Sequence, residues 1–440
     1  MQSYFYELAD ELCRGVGDGE VLLLGFSSEE SDFVRFNHSA IRQAGSVSQR
    51  YLGVELVGGG RHLKGVCTLS GDAATDRDRA AGVLAELRER LPDVPEDPYL
   101  LYATDVRSSE RVGENRLPDR RAVIEAVLGA GAGRDLVGLY AQGGIFGGFA
   151  NSLGQRNWFA TYTFHLDWSF YHAGDKAVKA AYAGTEWQAK TFARKVDEAA
   201  GQLAPLARPP KTIDPGEVRV YLAPVALREI LEMLCWGGFG LKAHRTKTTS
   251  LLKMIEQGAA LHPSVTIREN TAEGMAANFE SSGFLKPDSV TLIDGGRYKD
   301  CLVSPRTAKE YGVEPNGASG GEYPQSLDVA GGDVAAADVL ERLDTGVYVN
   351  RLWYLNYSDR PACRITGMTR FGTFWVEGGR IAAPLNVMRF DETIYRILGE
   401  NLVALTAERD FLPSGETYGG RSTDSVCLPG ALIDNFRFTL

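Results

Sequence analysis

Histidines are the residues of this chain best suited to metal chemistry, and their spacing decides whether a helical zinc site is present. Such a site needs two imidazoles about one turn apart on the same helix face, as in the HExxH and HExxxH patterns. The six histidines stand at positions 38, 62, 165, 172, 244 and 262, and no two of them have that spacing. The sequence therefore predicts no helical zinc site in this chain.

The densest group of candidate ligands is His165, Asp167 and His172. In a strand, His165 and Asp167 would share one face, whereas His172 would point to the other. A joint site would need a bulge or another segment. We interpret the three as ordinary polar residues on an aromatic-rich sheet.

Two nucleophile motifs match by letter. Ser319 lies in a GxSxG pattern, which works only on a strand-to-helix elbow, but the surrounding sequence predicts a loop. Ser250 and Lys253 form an SxxK pair without the SDN and KTG elements that accompany it in serine enzymes of that class. Neither motif is interpreted as catalytic.

Two further segments have the composition of anion sites. The basic patch 242–247 could bind an anion, but a solvated loop after a helix is the favoured interpretation. The glycine-rich stretch 143–148 lacks the GKS or GKT ending of a P-loop and a GxGxxG followed by a helix. Its glycines are predicted to serve turns.

The elements that would position these residues follow from hydrophobic periodicity. In the first half, helices are predicted at 1–15, 76–91, 119–130 and 185–204, strands at 21–26, 33–41, 47–57 and 62–69, and an antiparallel sheet at 149–182. In the second half, the predictions are a strand at 218–222, a helix at 224–236, hairpins at Gly295-Gly296 and Gly378-Gly379, and a last helix at 391–406 with Ile394, Ile397, Leu398 and Leu402 on one face.

The segment 208–216 carries three prolines and a glycine, which suits a surface linker. We therefore expect an α+β protein with a mixed N-terminal domain, residues 1–210, that contains an antiparallel sheet. A β-rich C-terminal domain is expected to follow over residues 211–440.

Composition excludes several classes of protein. The net charge of −10 comes from interspersed acids and bases, so no basic stripe indicates a nucleic-acid partner. No apolar run reaches the roughly 18 residues of a membrane span, and the acid-containing N-terminus predicts a helix, not a signal peptide. The six cysteines are scattered without a CxxC pair, which indicates reduced thiols. A cytoplasmic location is expected.

Four segments, in order along the chain, resemble the TldD/PmbA family. They are Ser31–Ser39 with the following Arg42-Gln43, Ala150–Gly154, the run from Asn278 through Asp294-Gly295-Gly296 to Ala308, and the block from Thr366 to Pro384. The similarity is patchy, but its order and spacing span nearly the whole chain.

The resemblance implies a zinc peptidase system in which catalytic subunits carry an HExxxH helix and a late cysteine. Here the corresponding helix contains Glu229 without a flanking histidine, and the segment Glu416–Arg421 has no cysteine; Cys427 lies several residues later. The resemblance therefore implies the PmbA-type, TldE-like subunit, with no catalytic, cofactor-binding or metal residue of its own.

By the same resemblance, zinc is expected in a TldD-like partner, and the two subunits together would cleave unstructured peptides or peptide precursors. Two alternatives remain open: a stand-alone peptide- or ligand-binding protein of a biosynthetic pathway, and an enzyme with a different site around His165.

Overall fold

The computed structural model describes residues 1–173 and 176–439, and these form an α+β fold with two sheets. The strands of the first sheet are β1 Glu20–Asn37, β2 Ala40–Gly58, β3 Arg61–Thr68, β4 Ser109–Val112, β5 Asp135–Asn151, β6 Arg156–Ala173 and β7 Lys176–Gly184. Their order is β3-β2-β1-β5-β6-β4, with β7 paired to β6. Every pair except β4–β6 is antiparallel.

The helices of the first half pack on this sheet. They are α1 Gln2–Arg14, α2 Ala73–Arg90, α3 Arg120–Gly131, α4 Ala189–Gly201 and α5 Leu203–Leu206. α1 buries Phe5, Leu8 and Leu12 against the sheet because these residues recur at helical spacing on one face. Asp72 caps the N-terminus of α2, since its carboxylate accepts the backbone N–H of Thr75 at 2.9 Å.

The aromatic residues of β6 belong to the core. Phe164, Leu166, Trp168 and Phe170 alternate along the strand and are almost completely buried among residues of α3 and α4. The alternation therefore positions His165 on the opposite face of the sheet.

The second sheet contains the strands β8 Gly216–Leu222, β9 Ile267–Glu269, β10 Val290–Asp294, β11 Arg297–Tyr298, β12 Ser326–Val329, β13 Gly346–Asp359, β14 Arg364–Glu377, β15 Arg380–Pro384, β16 Arg389–Thr393, β17 Leu402–Pro413 and β18 Ser425–Phe438. Their order is β11-β10-β9-β12-β18-β16-β14-β13-β8, while β15 pairs with β14 and β17 with β18. β8 also pairs with β18, so the last part of this order closes into a ring. The chain changes sheet between Gly184 and Gly216, and we propose that the two domains meet there.

The helices of the second half are α6 Pro224–Cys235, α7 Leu241–Arg245, α8 Leu252–Gln257, α9 Pro305–Tyr311 and α10 Val339–Leu343. α6 begins with proline, which is preorganised for the first helical position. Its apolar face, including Leu227, Ile230 and Leu234, is buried against β13 and β18. Among the described residues, no helix has the length and apolar character that a bilayer crossing requires.

Both predicted Gly-Gly hairpins are confirmed. Gly295 and Gly296 join β10 to β11 with φ of 53° and 78°, and Gly378 and Gly379 join β14 to β15 with φ of 57° and 70°. A tight hairpin turn of this type requires left-handed backbone angles at both central residues, and glycine adopts these angles without strain.

The predicted helix over 391–406 is wrong. β16 ends at Thr393, a single π-helical turn follows at Arg396–Glu400, and β17 begins at Leu402. Ile397 and Leu398 are buried, but Gly399 has non-helical angles inside the turn, so no regular helix continues through it. Pairing of β17 with β18 overrides the local helical spacing.

Two other local predictions are also wrong. The predicted strand 33–41 is interrupted, since β1 ends at Asn37 and His38 and Ser39 form a turn with φ of 48° and 57°. The glycines of 143–148 serve no turn, because they lie within the long strand β5.

Candidate functional site

A groove lies where β6 and β7 of the first sheet face α6 and β13 of the second. It consists of a cavity of about 500 Å³ that contains Lys179 and an adjoining cavity of about 240 Å³ that contains His165 and Asp167. Val225 at the start of α6 and Arg351 on β13 line both cavities. We call these two cavities the inter-sheet groove.

His165 and Asp167 do lie on the same strand face, as predicted. His165 Nε2 is 3.4 Å from Asp167 Oδ2, and both side chains face the smaller cavity. Burial by itself would raise the pKa of Asp167, but the hydrogen bond from His165 and the charges of Lys179 and Arg351 lower it to about 2. Asp167 is therefore an anion at neutral pH, and exposed His172 is not part of this pair.

Arg351 and Lys179 supply positive charge to the groove, and among the described residues neither has a direct ion-pair partner. The Nε of Arg351 is buried and has no hydrogen-bond partner among the described residues. Burial lowers the pKa of both side chains, while the more distant charge of Asp167 raises it. Within the described part of the chain, neither side chain forms an ion pair.

Glu229 lies on the face of α6 next to β13. Its Oε2 accepts the backbone N–H of Leu352 at 2.6 Å. Burial raises the pKa of Glu229 to about 7, although the charge of Arg351 and the Leu352 amide lower it. Glu229 therefore changes charge near neutral pH, well above an unperturbed glutamate.

Replacement of this carboxyl group should make stability less dependent on pH. Because the pKa of Glu229 is higher in the folded protein than in the unfolded chain, stability falls as pH rises through the interval between about 4.5 and about 7. Glu229→Gln stays neutral and can still accept the Leu352 N–H. We expect it to raise the free energy of unfolding by about 1–3 kcal/mol at pH 8, with the gain shrinking towards zero near pH 4.5.

Chemical denaturation at several pH values measures this effect. The matched control is Glu232→Gln on the same helix, whose carboxylate pairs with Arg228 and is 44% exposed. We expect the control to change stability by less than about 0.5 kcal/mol. If Glu229→Gln were less stable than the parent protein at pH 8, the raised pKa of Glu229 would be contradicted.

A second, larger pocket of about 680 Å³ lies further along α6, towards the C-terminal end of this helix, and shares Arg228 with the groove. Large aromatic side chains line it, and they are exposed to solvent: Trp236 by 57%, Tyr323 by 42%, Trp353 by 48% and Tyr354 by 74%. Glu229, Glu232 and Asp424 add acidic groups. Exposed aromatic rings around a concave surface with few polar groups are typical of ligand sites. We call this cavity the aromatic pocket.

The loop 414–424, between β17 and β18, connects the second half of the chain to the centre of the first sheet. Arg421 Nη2 donates to the carbonyl of Thr163 at 2.9 Å, and its Nη1 donates to Ser31 Oγ at 3.3 Å and to the carbonyl of Gly143 at 3.4 Å. The backbone N–H of Arg421 donates to Glu29 at 3.0 Å. Three strands of the first sheet thereby hold a loop of the second half.

The motifs set aside from the sequence lie elsewhere. Ser319 is in a loop, as predicted, with no strand-to-helix elbow. Ser250 is completely buried ahead of α8. In the basic patch, Lys242 pairs with Glu310 at 3.0 Å and Lys247 with Glu256 at 2.6 Å. The protein itself neutralises those two cations.

The surroundings of Glu229 do not fit a zinc ion. Zinc prefers imidazole and thiolate ligands, whereas Glu229 is surrounded by the backbone of Leu352 and the guanidinium groups of Arg228 and Arg351. Across residues 1–173 and 176–439, no three His, Cys, Asp or Glu side chains are grouped as ligands of one metal ion. Cys427 lies on β18 opposite Phe411, and burial raises the pKa of its thiol.

The sequence singled out Glu229 and the His165–Asp167 pair but was interpreted as giving none of them a function, and it gave no indication of Arg351, Lys179 or the aromatic pocket. A usable signal was the presence of single charged residues inside strongly apolar strands, such as Arg351 between Val349 and Leu352. Such residues need a partner or a ligand when the strand is buried.

Solved structures share this fold over almost the entire chain. TldE from Thermococcus kodakarensis matches with a TM-score of 0.78 and 13% identity, covering 99% of this chain and 100% of that one. A proposed modulator of a DNA gyrase from Thermotoga maritima matches with a TM-score of 0.76 and 15% identity, covering 99% and 100%. A proposed modulator of DNA gyrase from Bacteroides thetaiotaomicron gives 0.72 and 15%, covering 99% and 98%.

These identities are low, so the structural matches show the fold alone. No curated protein matches the sequence. The family model of the PmbA/TldA metallopeptidase C-terminal domain matches residues 215–440, which include α6, β13 and the loop 414–424. Because this match covers more than half of the sequence, the chain belongs to the PmbA/TldD family of metallopeptidase-related proteins.

Proposed function

We propose that this chain is the zinc-free, TldE-like subunit of a two-subunit peptidase in the cytoplasm. In this proposal a TldD-like homologue holds the zinc ion and performs the hydrolysis. The present chain helps to bind an unstructured peptide or peptide precursor and contributes no catalytic group.

The surroundings of Glu229 carry the proposal. A zinc peptidase needs metal-bound water whose pKa the ion lowers, and a glutamate acts on that water only when the metal holds it. Glu229 lies on the expected helix, but guanidinium groups and a backbone amide surround it in place of imidazoles. Hydrolysis must therefore come from another chain.

Two surfaces support a peptide-binding role. The exposed rings of the aromatic pocket would contact peptide side chains of varied sequence. On the first sheet, β3 pairs with β2 only over Tyr51–Gly58. The carbonyl of Arg50 accepts the N–H of Leu69, so among the described residues the outer edge of Ala40–Gln49 is open to pair with an extended peptide through its backbone.

Association with a zinc-bearing homologue is the first test. Mixed with such a protein, the chain is expected to form a stable complex that elutes as one species in size-exclusion chromatography with light scattering. Metal analysis should find about one zinc per pair and none held stoichiometrically by this chain alone. A partner variant without its zinc-ligating histidines serves as control, since it should lose the ion.

Two results would count against the proposal. One tightly bound zinc per isolated chain, lost when His165 is replaced, would place a metal site in this subunit. Failure to associate with any zinc-bearing homologue would favour the stand-alone peptide-binding protein.

A further inference from the structure

We propose that Lys179 and Arg351 in the inter-sheet groove bind a carboxylate group of a peptide. The site deepens the proposed function, on which the choice of a peptide as ligand rests. A peptide can supply a carboxylate from its C-terminus or from an Asp or Glu side chain. The groove would hold one such group between the two cations.

Lys179 and Arg351 are both partly buried, and neither has an ion-pair partner among the described residues. Withdrawing a charge from water without such a partner costs free energy, which a bound anion would offset. Arg351 has a buried Nε without a hydrogen-bond partner, and Lys179 forms no ion pair with the described residues. The other cations of the groove differ, since Arg194 pairs with Glu198 at 2.5 Å and Lys195 lies 3.9 Å from Asp410.

The resident acidic groups do not fully balance the charge of the two cations. Asp167 is the nearest resident anion, and its carboxylate already accepts a hydrogen bond from His165 at 3.4 Å. Glu229 is also close to both cations, but its raised pKa leaves it partly neutral at pH 7. Lys179 and Arg351 thus face one full anion. The remaining charged residues of the larger cavity add no positive charge, because Arg194 and Lys195 are offset by Glu198, Glu408 and Asp410, so the excess that a monoanionic ligand would meet lies at Lys179 and Arg351.

The start of α6 adds to the same field. Ala223, Pro224 and Val225 line the cavity that contains Lys179 and Arg351. No side chain caps this helix, so its N-terminal partial positive charge faces the groove. A carboxylate fits better than a phosphate dianion, because one negative charge together with Asp167 balances Lys179 and Arg351, whereas a second one would be in excess in a cavity that Glu198, Glu408 and Asp410 also line.

Binding of three fluorescently labelled peptides to the isolated full-length chain tests the proposal. The peptides share one unstructured sequence without acidic residues: one has a free C-terminal carboxylate, one a C-terminal amide, and one the amide together with an internal glutamate. We expect the free carboxylate to bind about tenfold or more tightly than the plain amide. If the internal glutamate restores that affinity, acidic side chains are also ligands.

Variants assign the effect to the two cations. Lys179→Met and Arg351→Met should each lose about tenfold or more in affinity for the free carboxylate but bind the plain amide as the parent does. Arg351→Lys should retain part of the affinity. Arg121→Met is the control, since Arg121 lies on α3 outside the groove and is 87% exposed.

Thermal unfolding separates ligand binding from a structural role. Because Lys179 has no partner to lose, Lys179→Met should have a Tm at least as high as the parent. A lower Tm together with equal losses for all three peptides would overturn the proposal. Equal affinity for acid and amide peptides, or no binding of any of them, would overturn it as well. Association with a zinc-bearing homologue is measured separately and can succeed when this site fails.

Discussion

Mixed with a zinc-bearing relative, this chain is expected to support cleavage of an unfolded peptide that it cannot cleave alone. The expected rate difference is at least about 10³-fold, because uncatalysed peptide hydrolysis is very slow and, in the proposed division of labour, the group that activates water belongs to the partner. Mass spectrometry of the products over time measures the rate. A chelator should abolish the activity, and added zinc should restore it.

Two variants assign the chemistry to one subunit. Glu229→Gln in this chain should leave the rate of the mixture within about twofold of the parent, since Glu229 contacts a backbone amide and no metal ligand. Replacement of the glutamate in the partner's HExxxH helix should reduce the rate to background. Robust cleavage by this chain alone in the presence of a chelator would refute the proposed division of labour.

Replacement of Arg421 is expected to produce the largest loss of stability among single substitutions in the loop 414–424. Its guanidinium donates to Thr163, Ser31 and the carbonyl of Gly143, and its charge lies near buried Glu29. Arg421→Met removes these bonds and leaves polar atoms of the first sheet without their donor. We expect the free energy of unfolding to fall by roughly 2–4 kcal/mol.

Urea denaturation measures this loss, and Arg421→Lys should lie between the parent and Arg421→Met because it keeps the charge but not the forked geometry. Arg121→Met is again the control and should change stability by less than about 0.5 kcal/mol, since Arg121 is 87% exposed. A change of that small size for Arg421→Met would show that the loop is not held by this side chain.

Local pattern was sufficient for the elements whose neighbours in sequence are also their neighbours in space. The amphipathic helices and the Gly-Gly hairpins are of this kind, and so is the placement of His165 and Asp167 on one face of β6. The segment 391–406 is different, because its strands are defined by pairing with β14 and β18 from elsewhere in the chain. In this segment the helical spacing correctly predicted which side chains are buried, but the predicted helix is wrong.

The glycines of β5 show the same limitation. A side chain on Gly143 would meet the carbonyl of Glu30 at 2.0 Å, and one on Gly148 would meet the ring of Phe5 at 2.6 Å. Glycine is needed at these positions because other segments approach the strand closely. From the sequence alone, the same glycines are interpreted as turn residues. The position of Lys179 and Arg351 in one groove is equally impossible to predict from local sequence, since it arises only when two strands that are distant in sequence face each other.

The position of β18 has a consequence for how the protein is made. This strand is the last along the chain, yet it pairs with β8, β12, β16 and β17 in the interior of the second sheet. During translation these earlier strands lack a pairing partner until β18 has left the ribosome, and they are exposed to solvent or to chaperones in the meantime. We therefore expect the second sheet to be completed only once β18 has emerged, and a nascent chain stalled before Ser425 to remain sensitive to protease in that half.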